Sequence, residues 1–185
     1  MTRVIIGDEK AFAELIDEHQ RQVYGFIMRM TGRADVADDL TQETFIAAWR
    51  NLKSYRETGS FNAWLMRIAL NKTRSYWRWK KLRNWISLDA PAGGREDATA
   101  TVAETLKDVS READPASAAA DPVLERRLQE ALAGLPERQR EVLLLRAQGL
   151  ELEEIGQALD IAEGTVKATL FAVKRKMQDR LGSLS

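Results

Sequence analysis

Apolar residues recur along most of this chain at helical spacing, and the alternation expected of strands is scarce. In the first such stretch, Phe12, Leu15, Ile16, Val23, Ile27 and Met30 share one side of a helix running from about Glu9 to Met30. Asp8 is placed to cap its start, and Gly32 to end it in a left-handed turn. Leu40, Phe45, Ile46, Trp49 and Leu52 then mark the buried stripe of a second helix over roughly 36–54. Residues 55–59 read as a short polar loop, and Ser60 as the cap of a third helix. These three helices predict one compact all-α unit that ends near Lys81.

The pattern changes between residues 84 and 121. Asp89, Glu96, Asp97, Glu104, Asp108, Glu112, Asp114 and Asp121 outnumber Arg95, Lys107 and Arg111, and Pro91, Gly93 and Gly94 interrupt any periodicity. So little apolar surface does not offset the entropy of ordering, so this segment reads as a flexible acidic linker between two folded pieces. Helical order resumes at Asp121-Pro122 and continues to about Ala133, with Gly134 behind it. Pro136 opens a helix carrying Val142, Leu143 and Leu145 to Gly149. A short helix over 152–159 turns Ile155 and Leu159 inward, Asp160 forms the turn, and a last helix spans 163–181. Val166, Leu170, Val173 and Met177 form its buried stripe, leaving Glu163, Lys167, Phe171 and Lys174 outward. The fold class is therefore all-α, with two small helical domains at 1–83 and 122–185.

Charge sharpens this picture. The 185 residues include 28 basic and 28 acidic side chains, yet the stretch 64–83 holds Arg67, Lys72, Arg74, Arg78, Lys80, Lys81 and Arg83 with no acid. Trp64, Tyr76, Trp77 and Trp79 are set among them. Basic groups neutralise phosphates and flat rings stack on unpaired bases. On a helix, Arg67, Asn71, Arg74, Arg78 and Lys81 share one face, opposite Leu65, Ile68, Ala69, Tyr76 and Trp79. Taken alone, the same pattern also describes an amphipathic surface helix with solvated arginines. The C-terminal piece has the form of a helix-turn-helix. A helix enters the major groove end-on only if its first turn lacks bulk, which Gly164 and Thr165 satisfy. Lys167 supplies a donor, and Lys174, Arg175, Lys176 and Arg180 are available to the backbone.

Other chemistries find little support. No cysteine is present, which excludes disulfides and thiolate metal sites. His19 is the single histidine and is expected at the surface. Asp38, Asp39, Gln42 and Glu43 lie in an early helical turn, where acids have a dipole reason to be. No catalytic constellation, cofactor motif or metal site is recognisable, so no enzyme and no cofactor is expected. The start has no apolar run of signal-peptide length and no window approaches a membrane span, so a cytoplasmic protein without membrane insertion is expected.

Residues 37–52 (ADDLTQETFIAAWRNL) and 60–76 (SFNAWLMRIALNKTRSY) resemble domain two of the extracytoplasmic-function sigma factors. Residues 132–170 (LAGLPERQREVLLLRAQGLELEEIGQALDIAEGTVKATL) are similar to their domain four. The resemblance implies a subunit that binds bacterial RNA polymerase core enzyme, directs it to promoter DNA and opens the strands. It also implies an anti-sigma factor as a partner. By the same resemblance, Asp38, Asp39, Gln42 and Glu43 face core polymerase. Tyr55, Arg67, Asn71, Arg74 and Arg78 serve the minus-ten element, Tyr55 and Asn71 at the pocket for a flipped base. Glu163, Gly164, Thr165, Lys167, Phe171 and Lys174 serve the minus-thirty-five element. The acidic linker is expected along the RNA exit path.

The sequence departs from the family where Glu151 and Ala162 replace frequent serines, and where Thr169 and Ala172 replace frequent arginines. A lost hydroxyl cap costs about 1 kcal/mol, and missing phosphate contacts weaken duplex binding. Two rivals remain: a stand-alone helix-turn-helix activator, which has no use for stacking groups, and an RNA-binding antiterminator, which acts without polymerase.

Overall fold

The computed structural model describes residues 8–55, 60–88 and 122–182, and every regular element among them is helical. The N-terminal unit comprises α1 (Glu9–Thr31), α2 (Ala34–Asn51) with a 3-10 turn over Leu52–Ser54, and α3 (Phe61–Leu88). The C-terminal unit comprises α4 (Pro122–Ala133), α5 (Glu137–Ala147), α6 (Leu152–Leu159) and α7 (Glu163–Gly182). The acidic stretch 89–121, expected to be a flexible tether, lies outside the described residues, as does 56–59 of the loop before α3.

The caps form where the sequence places them. The Asp8 carboxylate accepts from the backbone N–H of Lys10 and Ala11, and Gly32 ends α1 at φ 69°. Ser60 Oγ accepts from Ala63 N at 3.0 Å. The core of the first unit is built from Val23, Phe26 and Ile27 of α1, Ala37 and Ala48 of α2, and Leu65, Met66 and Leu70 of α3, all at or near zero exposure. Each large side chain among them contributes roughly 1.5–3 kcal/mol. Thr31, Thr44 and Thr73 are buried as well, and each donates its hydroxyl to the carbonyl four residues back, at 2.8, 2.6 and 2.9 Å. Their polarity is thereby satisfied within their own helices.

Three expectations need correction. Ile46 is half exposed, because Thr44, Phe45 and Ala48 take the inward face of α2 and Ile46 turns past it. Trp79, on the side opposite the basic face, is also more than half exposed: the fully buried positions of α3 stop at Thr73, and Tyr76 and Trp79 line the open groove between α2 and α3. That helix continues to Leu88 rather than ending near Lys81, since residues 82–88 contain neither glycine nor proline.

In the second unit, Leu132, Leu145, Ile155, Val166 and Val173 are buried, and Leu170 and Met177 pack against them. Asp160 takes the left-handed conformation (φ 55°), and Ile161 N bonds to Gly156 O at 3.0 Å. A Cβ at position 156 would stand 2.8 Å from the Ile161 carbonyl oxygen, so only glycine lets α6 and the turn approach this closely. At position 151 the Glu151 side chain takes the serine's place in a capping box, accepting from the Glu154 backbone N–H, while the Glu154 carboxylate accepts from the Glu151 backbone N–H at 2.8 Å. The two units touch, α1 against α5 and α3 against α6. Replacing Gly156 with alanine is expected to destabilise the C-terminal unit by about 1–3 kcal/mol. Urea unfolding followed by far-ultraviolet circular dichroism tests this; an unchanged midpoint would show that the turn relaxes freely.

Candidate nucleic-acid interface

Ser60 starts α3, and its leading apolar residues bury against α1 and α2, which fixes the rotation of the helix and turns its basic face outward. Arg67, Asn71 and Arg78 are exposed there, as expected, with Arg78 Nη2 donating to Ser75 Oγ at 3.2 Å. Asn71 lines a groove of about 460 Å³ between α2 and α3, together with Leu40, Glu43, Ile68, Tyr76 and Trp79. The groove has an apolar floor with an amide at its edge, a combination suited to a planar group with polar edges. Tyr55, expected to share a pocket with Asn71, does not line this groove. Its ring lies 5.8 Å from Phe61 and 5.3 Å from Trp64.

His19 joins that aromatic cluster, edge-on to Phe61 at 5.3 Å, with Nδ1 3.1 Å from the Leu15 carbonyl oxygen. Its side chain is only 13% exposed, correcting the expectation of a surface histidine. The far end of α3 is dense in charge. Lys80 lies over the Trp77 ring at 5.0 Å and Arg83 over Trp79 at 4.6 Å. Burial, reinforced by Arg33 and Arg83, pushes the Lys80 ammonium below its ordinary pKa.

Arg74 departs from its neighbours on the basic face. Its Nε and Nη2 donate to the two carboxylate oxygens of Glu141 on α5, at 2.6 and 2.8 Å. The Glu141 side chain is 2% exposed, and the hydrogen bonds it accepts raise the pKa of the Arg74 guanidinium. Arg138 stands 3.6 Å from the same carboxylate, and Arg140 is close enough to interact with it. Nearby, the backbone carbonyl of Gln148, just past the end of α5, accepts from Gln22 Nε2 at 2.9 Å and Asn62 Nδ2 at 3.0 Å. Sequence reading missed all four of these partners. Glu141 carried a signal, an acid directly before the apolar run Val142–Leu145, where a buried carboxylate demands a cation. A backbone acceptor such as that of Gln148 leaves none.

On α2, Asp38, Asp39, Gln42 and Glu43 are all exposed, and Glu43 pairs with Lys72 of α3 at 2.8 Å. On α7, Glu163, Gly164, Thr165, Lys167 and Lys174 are exposed, and Phe171 is 75% exposed. Lys167 pairs with Glu163 at 2.7 Å. The open first turn expected of a groove-entering helix is therefore present, and a Cβ at Gly164 would meet no neighbour within 4 Å.

Comparison with known proteins gives two family matches, Sigma-70 region 2 over residues 15–83 and Sigma-70 region 4 over residues 125–177. The chain is 35% identical to RNA polymerase sigma factor CarQ of Myxococcus xanthus, covering 100% of this chain and 97% of the relative. It is 33% identical to the extracytoplasmic-function sigma factor SigW of Bacillus subtilis, over 96% and 92%. Among solved structures, the fold is similar to the sigma factor RpoE in complex with the anti-sigma factor NepR from Bartonella quintana. The TM-score is 0.72 at 22% identity, over 94% of this chain and 98% of that one. It is likewise similar to CnrH in complex with the cytosolic domain of CnrY, with a TM-score of 0.68 at 24% identity, over 100% and 96%.

A double-mutant cycle on Arg74→Ala and Glu141→Gln, read by urea unfolding, is expected to give a coupling of about 0.5–3 kcal/mol. Strictly additive effects would mean that the pair adds nothing to the packing of the two units.

Proposed function

We propose a division of labour for this chain, which belongs to the extracytoplasmic-function family of sigma factors. It binds RNA polymerase core enzyme and directs promoter recognition, strand opening and transcription initiation. In our reading, the exposed acidic and amide face of α2 (Asp38, Asp39, Gln42 and Glu43) docks on core polymerase. The basic face of α3 holds the unwound minus-ten strand, and the first turn of α7 reads the minus-thirty-five element as duplex. One observation carries this assignment: the described residues expose two DNA-suited faces of different chemistry. On α3 an amide-edged groove stands beside arginines and rings, suited to unstacked bases. On α7 a small-residue helix start is suited to the major groove. An activator confined to duplex DNA would need only the second.

The protein acts through binding and placement, without catalytic chemistry of its own, in the cytoplasm where polymerase and promoter are found. No described helix is long and apolar enough to cross a membrane. An anti-sigma factor is the expected regulator, and the exposed row Trp79, Leu82 and Trp85 on α3 offers it an apolar surface. Neither Thr169 nor Ala172 supplies a cation to the DNA backbone, so the isolated chain should bind duplex weakly and gain specificity only with core.

The decisive experiment is transcription in vitro: the purified chain with core polymerase should initiate at a defined promoter that core alone ignores. The double variant Asp39→Ala/Gln42→Ala should bind core more weakly while keeping wild-type helicity; wild-type binding would remove α2 as the docking face. Asn71→Ala should lower discrimination at one minus-ten position by about 1–3 kcal/mol, measured on a promoter panel. Unchanged preference at every position would make Asn71 a structural residue.

A further inference from the structure

The contacts between the two units have an unusual chemistry. Three of the side chains that the first unit offers to the second are hydrogen-bond donors: the guanidinium of Arg74 and the amides of Gln22 and Asn62. The groups they meet are acceptors, the Glu141 carboxylate and the Gln148 carbonyl. A nucleic-acid strand presents the same two kinds of acceptor, the anionic oxygens of its phosphates and the neutral carbonyls of its bases. Arg74 binds Glu141 through two parallel N–H···O bonds, the geometry in which a guanidinium grips phosphate. Arg74 also shares its helix face with Arg67, Asn71 and Arg78, which stay open to solvent.

We propose that α5 stands in for the promoter strand. In the closed protein it occupies a donor track made of Arg74, Gln22 and Asn62, and the unwound strand must displace it. This inference rests on the reading of α3 as the strand-binding face and extends it in two ways. It adds Gln22 and Asn62 as strand contacts, one on α1 and one at the start of α3. It also makes closure of the two units a self-inhibited state, with Glu141 as its latch. Arg138 and Arg140 flank Glu141 on α5, so removing its charge leaves these cations near Arg74 with Glu137 as the remaining acid of α5 that acts on it. The two hydrogen bonds of the latch come from the Glu141 carboxylate, and Glu137 adds only a longer-range attraction. Arg138 also donates to the Leu159 carbonyl within its own unit, so the second unit keeps contacts of its own when the latch opens.

The test uses the full chain and a short, fluorescent, mixed-sequence DNA single strand, with binding read by anisotropy at fixed ionic strength. Glu141→Gln keeps the size of the side chain and removes its charge. It should bind the strand about tenfold more tightly than wild type, because a larger fraction of molecules is open. Adding Arg74→Ala should erase that gain. If Glu141→Gln keeps wild-type helicity and binds no more tightly, the latch is refuted.

A second arm does not depend on the stability of that variant. The chain has no cysteine, so Gln22→Cys/Gln148→Cys can be joined by a reducible bis-maleimide and compared with the same variant after reduction. That variant gives up one donor of the track and keeps Arg74 and Asn62. Gln148 contributes through its backbone, which leaves its side chain free for replacement. The cross-linked protein should lose strand binding and regain it on reduction; equal binding before and after reduction overturns the proposal. Failure of the underlying reading has a different signature. If Arg67→Ala/Arg78→Ala in the Glu141→Gln background leaves strand binding unchanged, α3 is not the strand surface and both readings fall. If that variant loses binding while the cross-link has no effect, only the latch falls.

Discussion

A carboxylate withdrawn almost wholly from water needs positive charge at hydrogen-bond distance, and Glu141 finds it on the opposite unit. The bidentate bond to Arg74 ties α5 to the middle of α3, and with it the orientation of the C-terminal unit on the N-terminal one. Leaving the withdrawn Glu141 carboxylate without its partner costs more than losing a surface ion pair, which contributes about 0–1 kcal/mol. Arg126 with Glu130 and Lys167 with Glu163 are exposed and local to one helix, and Lys72 with Glu43 joins α2 to α3 within the first unit. Arg74–Glu141 is buried on its acidic side and spans the two units, so their relative placement is sensitive to it as to no exposed pair.

The rest of the architecture is held by shape. Each unit closes on aliphatic and aromatic side chains, and the buried threonines return their hydroxyls to their own helices instead of bridging neighbours. Direction comes from the ends: the Asp8 cap, the left-handed Gly32 and the tight approach at Gly156 fix where each helix begins to face its neighbour. The basic face of α3 is presented outward because its apolar residues have only one way to be buried.

Much of this was legible in the residues. Asp8, Gly32, Ser60 and Asp160 announce their turns through local backbone chemistry, which depends on a few adjacent positions. The helix-turn-helix was legible for the same reason, down to the limits of α6. Ile46, Trp79 and His19 were misplaced because periodicity says which residues share a face and not how far a neighbouring helix extends to cover it. The contacts of Gln22, Asn62 and Gln148 were not legible at all. They join positions remote along the chain, and one of the three groups is a backbone carbonyl, which every residue possesses.

The exposed Phe171 and the open first turn of α7 have a consequence beyond their own chemistry. While α5 is seated on the first unit, the first turn of α7 and Phe171 remain exposed, so the two faces are not covered together. In the proposed closed state the α7 surface stays open while the donor track on α3 is occupied, so the two faces become available in sequence. On that proposal, duplex contact and strand capture are separate events, and stray unpaired nucleic acid meets an occupied track.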